Sequence, residues 1–307
     1  NDDRYTLNNV GVYAQAIFKA TDQLKIIPGL RLDKFSGHTT ISPSGTNGAL
    51  QDYGWIKQPK LSMVYSVNDA TSVYANWGRT FQILTGSRAP AYITSANQAT
   101  FAPSINTGTE LGVKYKPNPR TDLRVAVWQQ DATDEVANMP STGTTVGLGQ
   151  TRRKGVDFQA TGRVTDKLKL WLSHSLQEAT VQRAFTAGGV SLAGKEVFST
   201  PRYISNVGAE YQATEKWRFS LQGRAQGSYY IDDLNAKGKH GGFVLFDTSV
   251  RYALTKAASL DLQLKNLTDR KYEYVWYDNF FWPAGSEQPM YSPGPGRSAY
   301  LSLNLKM

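Results

Sequence analysis

Apolar and polar side chains alternate with a period of two through most of this chain. Leu260-Asp261-Leu262-Gln263-Leu264-Lys265 sets leucine on one face and polar groups on the other. Trp217, Phe219, Leu221, Gly223 and Ala225 alternate with Arg218, Ser220, Gln222 and Arg224. Val156, Phe158, Ala160 and Val164 stand against Asp157, Gln159, Thr161 and Arg163. The last segment sets Ala299, Leu301, Leu303, Leu305 and Met307 against Ser298, Tyr300, Ser302, Asn304 and Lys306. Successive side chains of a strand point to opposite faces, so this period predicts sheets with one apolar and one polar side. No comparable period of 3.6 appears, and the predicted class is all-β. About 13 strands are expected, near 8–20, 23–37, 55–67, 71–81, 107–117, 121–132, 151–164, 167–184, 200–213, 216–231, 242–253, 258–275 and 296–307.

Strands of a soluble sandwich centre near about 5–6 residues, whereas a tilted strand needs roughly 9–11 to cross a bilayer's hydrocarbon. The expected strands suit the second case. Their connections alternate between short and long. Short turns fall at Ala20–Asp22, Asn68–Ala70, Pro117–Arg120, Thr165-Asp166, Thr214-Glu215 and Leu254–Ala257. Long connections fall at 38–54, 82–106, 133–150, 185–199, 232–241 and 276–295. A sandwich has no reason to collect its long loops at one end, but an antiparallel transmembrane β-barrel does, with short periplasmic turns and long outer loops. Trp55, Tyr65, Trp77, Tyr211, Trp217 and Tyr252, near strand ends, fit aromatic girdles. With short turns inside, the first and last expected strands both run inward, and an odd number of strands cannot close antiparallel. Residues 1–307 are therefore expected to form the C-terminal part of a larger barrel.

Composition narrows the chemistry. No run approaches the roughly 18 apolar residues of a membrane helix. There is no cysteine, and the three histidines, His38, His174 and His240, have no metal-ligand spacing. The net charge of +9 is spread singly along the strands, which argues for a solvated lumen or surface and against nucleic acid. The start, Asn1-Asp2-Asp3-Arg4, has neither a basic nor an apolar leader region, so either a leader has been removed or the chain begins inside a longer protein.

Several strand motifs, in order, resemble TonB-dependent outer-membrane receptors of the ferric-siderophore type. They are Gly11-Val-Tyr-Ala-Gln15 with Pro28-Gly-Leu-Arg-Leu-Asp33, and Pro59-Lys-Leu-Ser-Met-Val-Tyr65 with Ser72–Phe81. Glu110-Leu-Gly-Val-Lys114 and Arg153-Lys-Gly-Val-Asp-Phe158 follow, the latter with Asp157 where the family usually has Glu. The most specific is Leu264-Lys-Asn-Leu-Thr-Asp-Arg-Lys-Tyr272, followed by Pro293-Gly-Pro-Gly-Arg297. The resemblance covers nearly all of the chain. It implies a barrel of about 22 strands around a plugged lumen, an outer-membrane location, a ferric siderophore as ligand, and energy supplied through the TonB complex. Two features depart from the family. The chain ends in Met307 where an aromatic is usual, and it carries no plug domain and no TonB box. About nine strands of such a barrel would be missing, so these residues could not gate transport alone.

Candidate chemistry is of two kinds. Inward-pointing charges include Arg31, Asp33, Glu110, Lys114, Arg124, Asp157, Arg163, Arg218, Arg224, Asp247, Arg251, Asp261 and Lys265. They read either as plug or substrate contacts or simply as the polar lining of a watery lumen. No nucleophile–base set and no metal or cofactor site is legible, so no enzyme is expected. The loops carry aromatic and basic residues that suit an anionic, aromatic iron chelate through stacking and charge, as the resemblance implies. The ligand candidates are Trp276, Tyr277, Phe280, Phe281, Trp282 and Tyr291 in the last loop, Arg79, Phe81, Arg88 and Tyr92 around the second, and Tyr229 and Tyr230 at the top of a strand. Packing of loop on loop is the simpler account of the same rings. Arg152 and Arg153 sit where a strand end could face a vestibule or meet lipopolysaccharide phosphates, with ordinary strand-end anchoring as the plainer alternative. Four methionines, no cysteine and scattered histidines argue against a copper cargo; cobalamin, heme or a carbohydrate would suit the same barrel. A passive porin-like barrel is the competing function.

Overall fold

A computed structural model describes residues 4–41, 46–83, 92–93, 102–139, 144–185, 189–278 and 288–306. The strands in chain order are β1 (Arg4–Gln15), β2 (Phe18–Lys19), β3 (Leu24–Ile41), β4 (Thr46–Leu50), β5 (Ile56–Ser66), β6 (Thr71–Gln82) and β7 (Tyr92–Ile93). Next come β8 (Ser104–Asn118), β9 (Thr121–Met139), β10 (Thr144–Arg163), β11 (Leu168–Arg183), β12 (Tyr203–Gln212) and β13 (Trp217–Gln226). The rest are β14 (Tyr229–Tyr230), β15 (Lys239–His240), β16 (Phe243–Ala253), β17 (Ala258–Lys265), β18 (Glu273–Asp278), β19 (Gln288–Pro293) and β20 (Ser298–Leu305).

One antiparallel sheet of sixteen strands forms the wall. β1 and β2 are two stretches of one pass of the chain along β3, while β4 and β7 extend the sheet above β3. Thirteen passes remain, in sequence order from β1 to β20, as the alternation predicts. Among the described residues the sheet has two free edges, since β1 pairs only with β3 and β20 only with β17.

The register separates two faces. Leu123, Val125 and Val127 on β9 lie opposite Ala160, Phe158 and Val156 on β10. This apolar row continues through Leu172 and Val207 to Gly223, with Leu221 diagonal to Val207, and farther along the sheet Val250, Leu262 and Leu301 stand side by side. Large apolar side chains on this face are solvent-exposed in the isolated chain, as they must be if the solvent is lipid. The opposite face carries Arg124, Gln159, Asp157, Ser175 and Arg251, and this is the lumen side.

The short turns share one device. Thr21, Asn68, Asn118, Thr165, Thr214 and Thr255 each accept a hydrogen bond on the side-chain oxygen from the backbone N–H two residues on. Such Asx- and ST-turns close a hairpin in few residues. Beside them Trp217 packs at a tilt of 40° against Tyr252, with ring centroids 4.5 Å apart, on the apolar face, where an aromatic girdle belongs.

The expected boundaries fail mainly beyond the wall. The expected loop 133–150 is largely a tall hairpin, because β9 runs to Met139 and β10 starts at Thr144, with a bulge at Gly149 (φ 61°). The expected strand 258–275 stops at Lys265, because Asn266 (φ 50°) and Asp269 (φ 49°) turn left-handed. That turn explains the most specific sequence motif. Asn266 donates its N–H to Asp247, 2.8 Å away, and its side-chain amide to the carbonyls of Arg270 and Pro295. Its Oδ1 accepts the Arg270 N–H, and Asp269 accepts the Arg297 N–H. The motif therefore pins the end of β17 to the segment that enters β20. The expected strand 216–231 likewise ends at Gln226, and β14 pairs instead with β15 in a separate hairpin.

Candidate functional site

The long connections build a cap with its own small cores. Leu148, Ala179, Val181, Ala184, Leu192 and Val197 form one, where the stretch after β11 folds back through backbone bonds from Leu192 to Ala184 and from Gly194 to Val181. Tyr229, Ile231 and Val275 form another. The Tyr229 hydroxyl donates to the Val275 carbonyl at 3.1 Å and accepts the Val275 N–H at 3.2 Å, clamping β18 to β14. Tyr229 is 7% exposed, its ring packed with Ile231 and Val275.

Tyr230, next along, faces a charged network. Lys239 Nζ sits 4.6 Å from its ring centroid and 3.1 Å from Glu196, which also pairs with Arg202 at 2.7 Å. Asn235 braces Glu196 by accepting its backbone N–H and donating to its carbonyl. Burial pushes the Glu196 carboxyl up, but hydrogen bonds from Arg202 and Lys239 outweigh it and hold the carboxyl below its ordinary value. Residue types alone did not reveal this network, since its members lie on three separate stretches of the chain.

The other ligand candidates fall in different places. Tyr291 is exposed on β19, paired with Val275, so the last loop's hairpin stands beside Tyr229 and Tyr230. Trp276 and Tyr277 lie on β18, opposite Met290 and Pro289, and Tyr92 lies on β7; the side chains of these three lie outside the described residues. Arg88, Phe280, Phe281 and Trp282 also lie outside the described residues. Phe81 packs edge-on against Phe35 with centroids 5.5 Å apart. Arg79 belongs to the apolar side of the wall: Leu61 pairs with Trp77, and Arg79 follows Trp77 by two. It is therefore separated from the Tyr230 group.

The inward charges are mostly paired across the lumen face. Arg31 grips Asp33 at 2.7 Å, and Asp33 also accepts from Asn9 and Gln58. Arg124 bridges Glu110 at 2.7 Å and Tyr74 at 2.7 Å; Arg251 holds Asp261 at 2.6 Å. Arg224 lies 3.7 Å from Asp247, and Ser175 donates to Asp157. A groove of about 520 Å³ on this face is lined by Lys60, Asn76, Asn106, Glu110, Trp128 and Gln130 among others. Arg152 and Arg153 part company: Arg153 binds Glu135 at 2.7 Å on the lumen side, and Arg152 binds Asp131 at 2.6 Å on the apolar side. Among the described residues no group of three or more His, Asp or Glu could hold a metal. The arrangement offers stacking, hydrogen bonding and charge, the means of recognition.

A family model described as TonB dependent receptor-like, beta-barrel, matches residues 1–267. The chain belongs to that family. The metal-pseudopaline receptor CntO of Pseudomonas aeruginosa is 25% identical over 256 residues, covering 80% of this chain and 33% of its own length. The ferrioxamine receptor of Yersinia enterocolitica is 24% identical, covering 75% and 32%. The siderophore receptor PiuA of Acinetobacter baumannii superposes with a TM-score of 0.79 at 18% identity, over 99% of this chain and 44% of that one. This chain thus spans about a third to under half the length of these proteins. It is a partial TonB-dependent receptor barrel, and the family consists of receptors and transporters of the outer membrane.

Proposed function

We propose that the chain forms the C-terminal part of the wall and cap of an outer-membrane receptor that binds a ferric siderophore and imports it with energy supplied through TonB. The observation that carries this reading is the asymmetry of the wall. One end is closed by six tight side-chain-braced turns, and the other rises into a structured cap where Tyr230 and Lys239 neighbour the hairpin that carries Tyr291, Trp276 and Tyr277. Several relatives are named for iron chelates, which supports the cargo class. Recognition would rest on rings stacking on the chelate and cations drawing in its charge.

The free edges of β1 and β20 support a larger barrel. Unpaired peptide groups in hydrocarbon cost several kcal/mol each, so both edges require strands beyond these thirteen passes. The native polypeptide, recovered from outer membranes with an antibody to β20, is then expected to weigh about twice 34.0 kDa. A folded, membrane-embedded species near 34.0 kDa would favour a plugless, porin-like barrel instead. For the cargo, the full-length receptor in detergent is titrated with ferric catecholate and ferric hydroxamate chelates while tryptophan fluorescence is followed. Saturable quenching by either class is expected. If neither quenches while cobalamin or heme does, the cargo reading fails.

A further inference from the structure

Strand register sets cations directly opposite cations at one end of the wall. Lys19 pairs with Lys25, Lys114 with Arg124, Arg163 with Lys169 and Arg218 with Arg251. All eight lie within four residues of a short turn. All face the lumen: Lys25 lies six residues before Arg31, Lys114 four after Glu110 and Arg163 six after Asp157, while Arg251 binds Asp261 on that side. Among the described residues no other directly opposite pair joins two cations, and none joins two acids.

Like charges directly opposite one another on a sheet face destabilise it. A wet lining requires only polarity, and one step farther from the turns Ser220 meets Ser249, hydroxyl to hydroxyl at 2.6 Å. Higher on the same face, charges meet in pairs of opposite sign: Arg31 with Asp33, Arg153 with Glu135 and Arg224 with Asp247. Beside the turns that balance fails. Glu110 and Asp261 answer Arg124 and Arg251, and Asp122 answers Lys116. Arg218 donates to the Gln212 amide oxygen at 2.8 Å, and Lys114 sits 5.2 Å from the Tyr74 ring centroid. Lys19, Lys25, Arg163 and Lys169 are exposed and have no ion pair among the described residues. Glu210, directly opposite Lys169, is a further acid and still leaves the belt positive.

A ring of Lys and Arg around an aqueous passage selects anions, and low-dielectric walls focus its field along the passage. With the short turns periplasmic, the belt lines part of the inner mouth, where a passenger leaves the barrel. We propose that these four cation pairs form an exit collar that gives the import step its charge selectivity, and that the passenger is a ferric chelate of net negative charge. The cations stand on separate strands along the wall. They attract the chelate down the lumen without closing around it, so it is drawn in and still released. Arg163, Lys169 and Arg218 act on transit, at the opposite end of the wall from the aromatic groups of the cap. The collar rests on the import reading above and names the charge class of its cargo.

The test measures binding and uptake separately, in cells whose receptor for these chelates is the full-length protein. Radioiron is supplied as a trianionic ferric tris-catecholate or as an uncharged ferric trihydroxamate, with binding read on de-energised cells and uptake on energised ones. The parent is expected to import the anionic chelate. R163Q/K169Q/R218Q spares Arg124 and Arg251, whose removal would strand their carboxylates. It is expected to bind the anionic chelate as the parent does and to import it about tenfold more slowly, at the lower end of such electrostatic gains. R163K/K169R/R218K, which keeps the charges, is expected to import at the parent's rate. Unchanged uptake by folded R163Q/K169Q/R218Q overturns the collar. So does a parent that imports only the uncharged chelate, a result that leaves the receptor reading standing. Equal slowing in R163K/K169R/R218K, or loss of binding together with uptake, also overturns it and makes these cations a seat for protein filling the lumen. A parent that binds neither chelate sinks the import reading, and the collar with it.

Discussion

The wall and the cap solve the same problem in opposite solvents. On the wall, Val125, Leu221 and Leu301 are exposed, and none of the described residues covers them. In the cap, Leu192 and Ile231 are 0% exposed and Val275 1%, enclosed as in a water-soluble domain. On the wall's lumen face charged groups meet in cross-strand ion pairs, while the cap's polar groups tie loop to loop through Tyr229, Asn235 and Glu196. The difference teaches that one chain can keep two stability ledgers. Lipid and backbone pairing hold the wall, whereas local packing holds the cap, so each should yield to perturbations that spare the other.

The sharpest way to break that comparison is Leu192→Ala. A fully enclosed leucine is removed from the cap core, and a loss of about 2–5 kcal/mol of local stability is expected. Hydrogen exchange should rise across 184–202 and leave β12 and β13 protected; if wall and cap open together, they are one cooperative unit. Val125→Arg, at mid-height on the lipid face, is the converse and should cost roughly 2–4 kcal/mol in a bilayer unfolding titration. A neutral result there would mean that this face does not meet lipid.

Tyr229→Phe leaves the Val275 N–H and carbonyl enclosed without their partner, at a cost of about 1–3 kcal/mol, expected as faster exchange confined to β18 and β19. The smallest effect concerns Glu196. Its carboxyl lies below the ordinary 4.5, so its contribution is present above that pH and is lost as pH falls through the depressed value. Cap exchange should accelerate below about pH 4.5 in the parent, and Glu196→Gln should show the faster exchange already at neutral pH with the acid step removed. An acid step that survives in Glu196→Gln would assign it to another group.

Legibility in the sequence follows the same division. All thirteen passes of the wall could be located beforehand, since alternation reports directly on a face that meets lipid. The short turns were equally plain, each marked by its Thr or Asn. The cap is far less legible. The hairpins β14–β15 and β18–β19 are too short to show a period, and the left-handed residues Asn266 and Asp269 cut an expected strand at Lys265. Among the candidate ligand residues, aromatic type near a loop did not separate Tyr229, which is enclosed, from Tyr291, which is exposed. Arg79 needed its register to show which solvent it faces.

By itself the sequence determined the class, the number of passes, the faces of the wall and the end at which the loops collect. These are local properties: a two-residue period and a turn-forming side chain act over a few residues and need no partner from elsewhere in the chain. Only the tertiary structure decided which charges meet across strands, which tyrosine is a clamp, and which solvent Arg79 faces. Those facts depend on register between strands tens of residues apart, where a shift of one residue would turn each side chain to the other solvent.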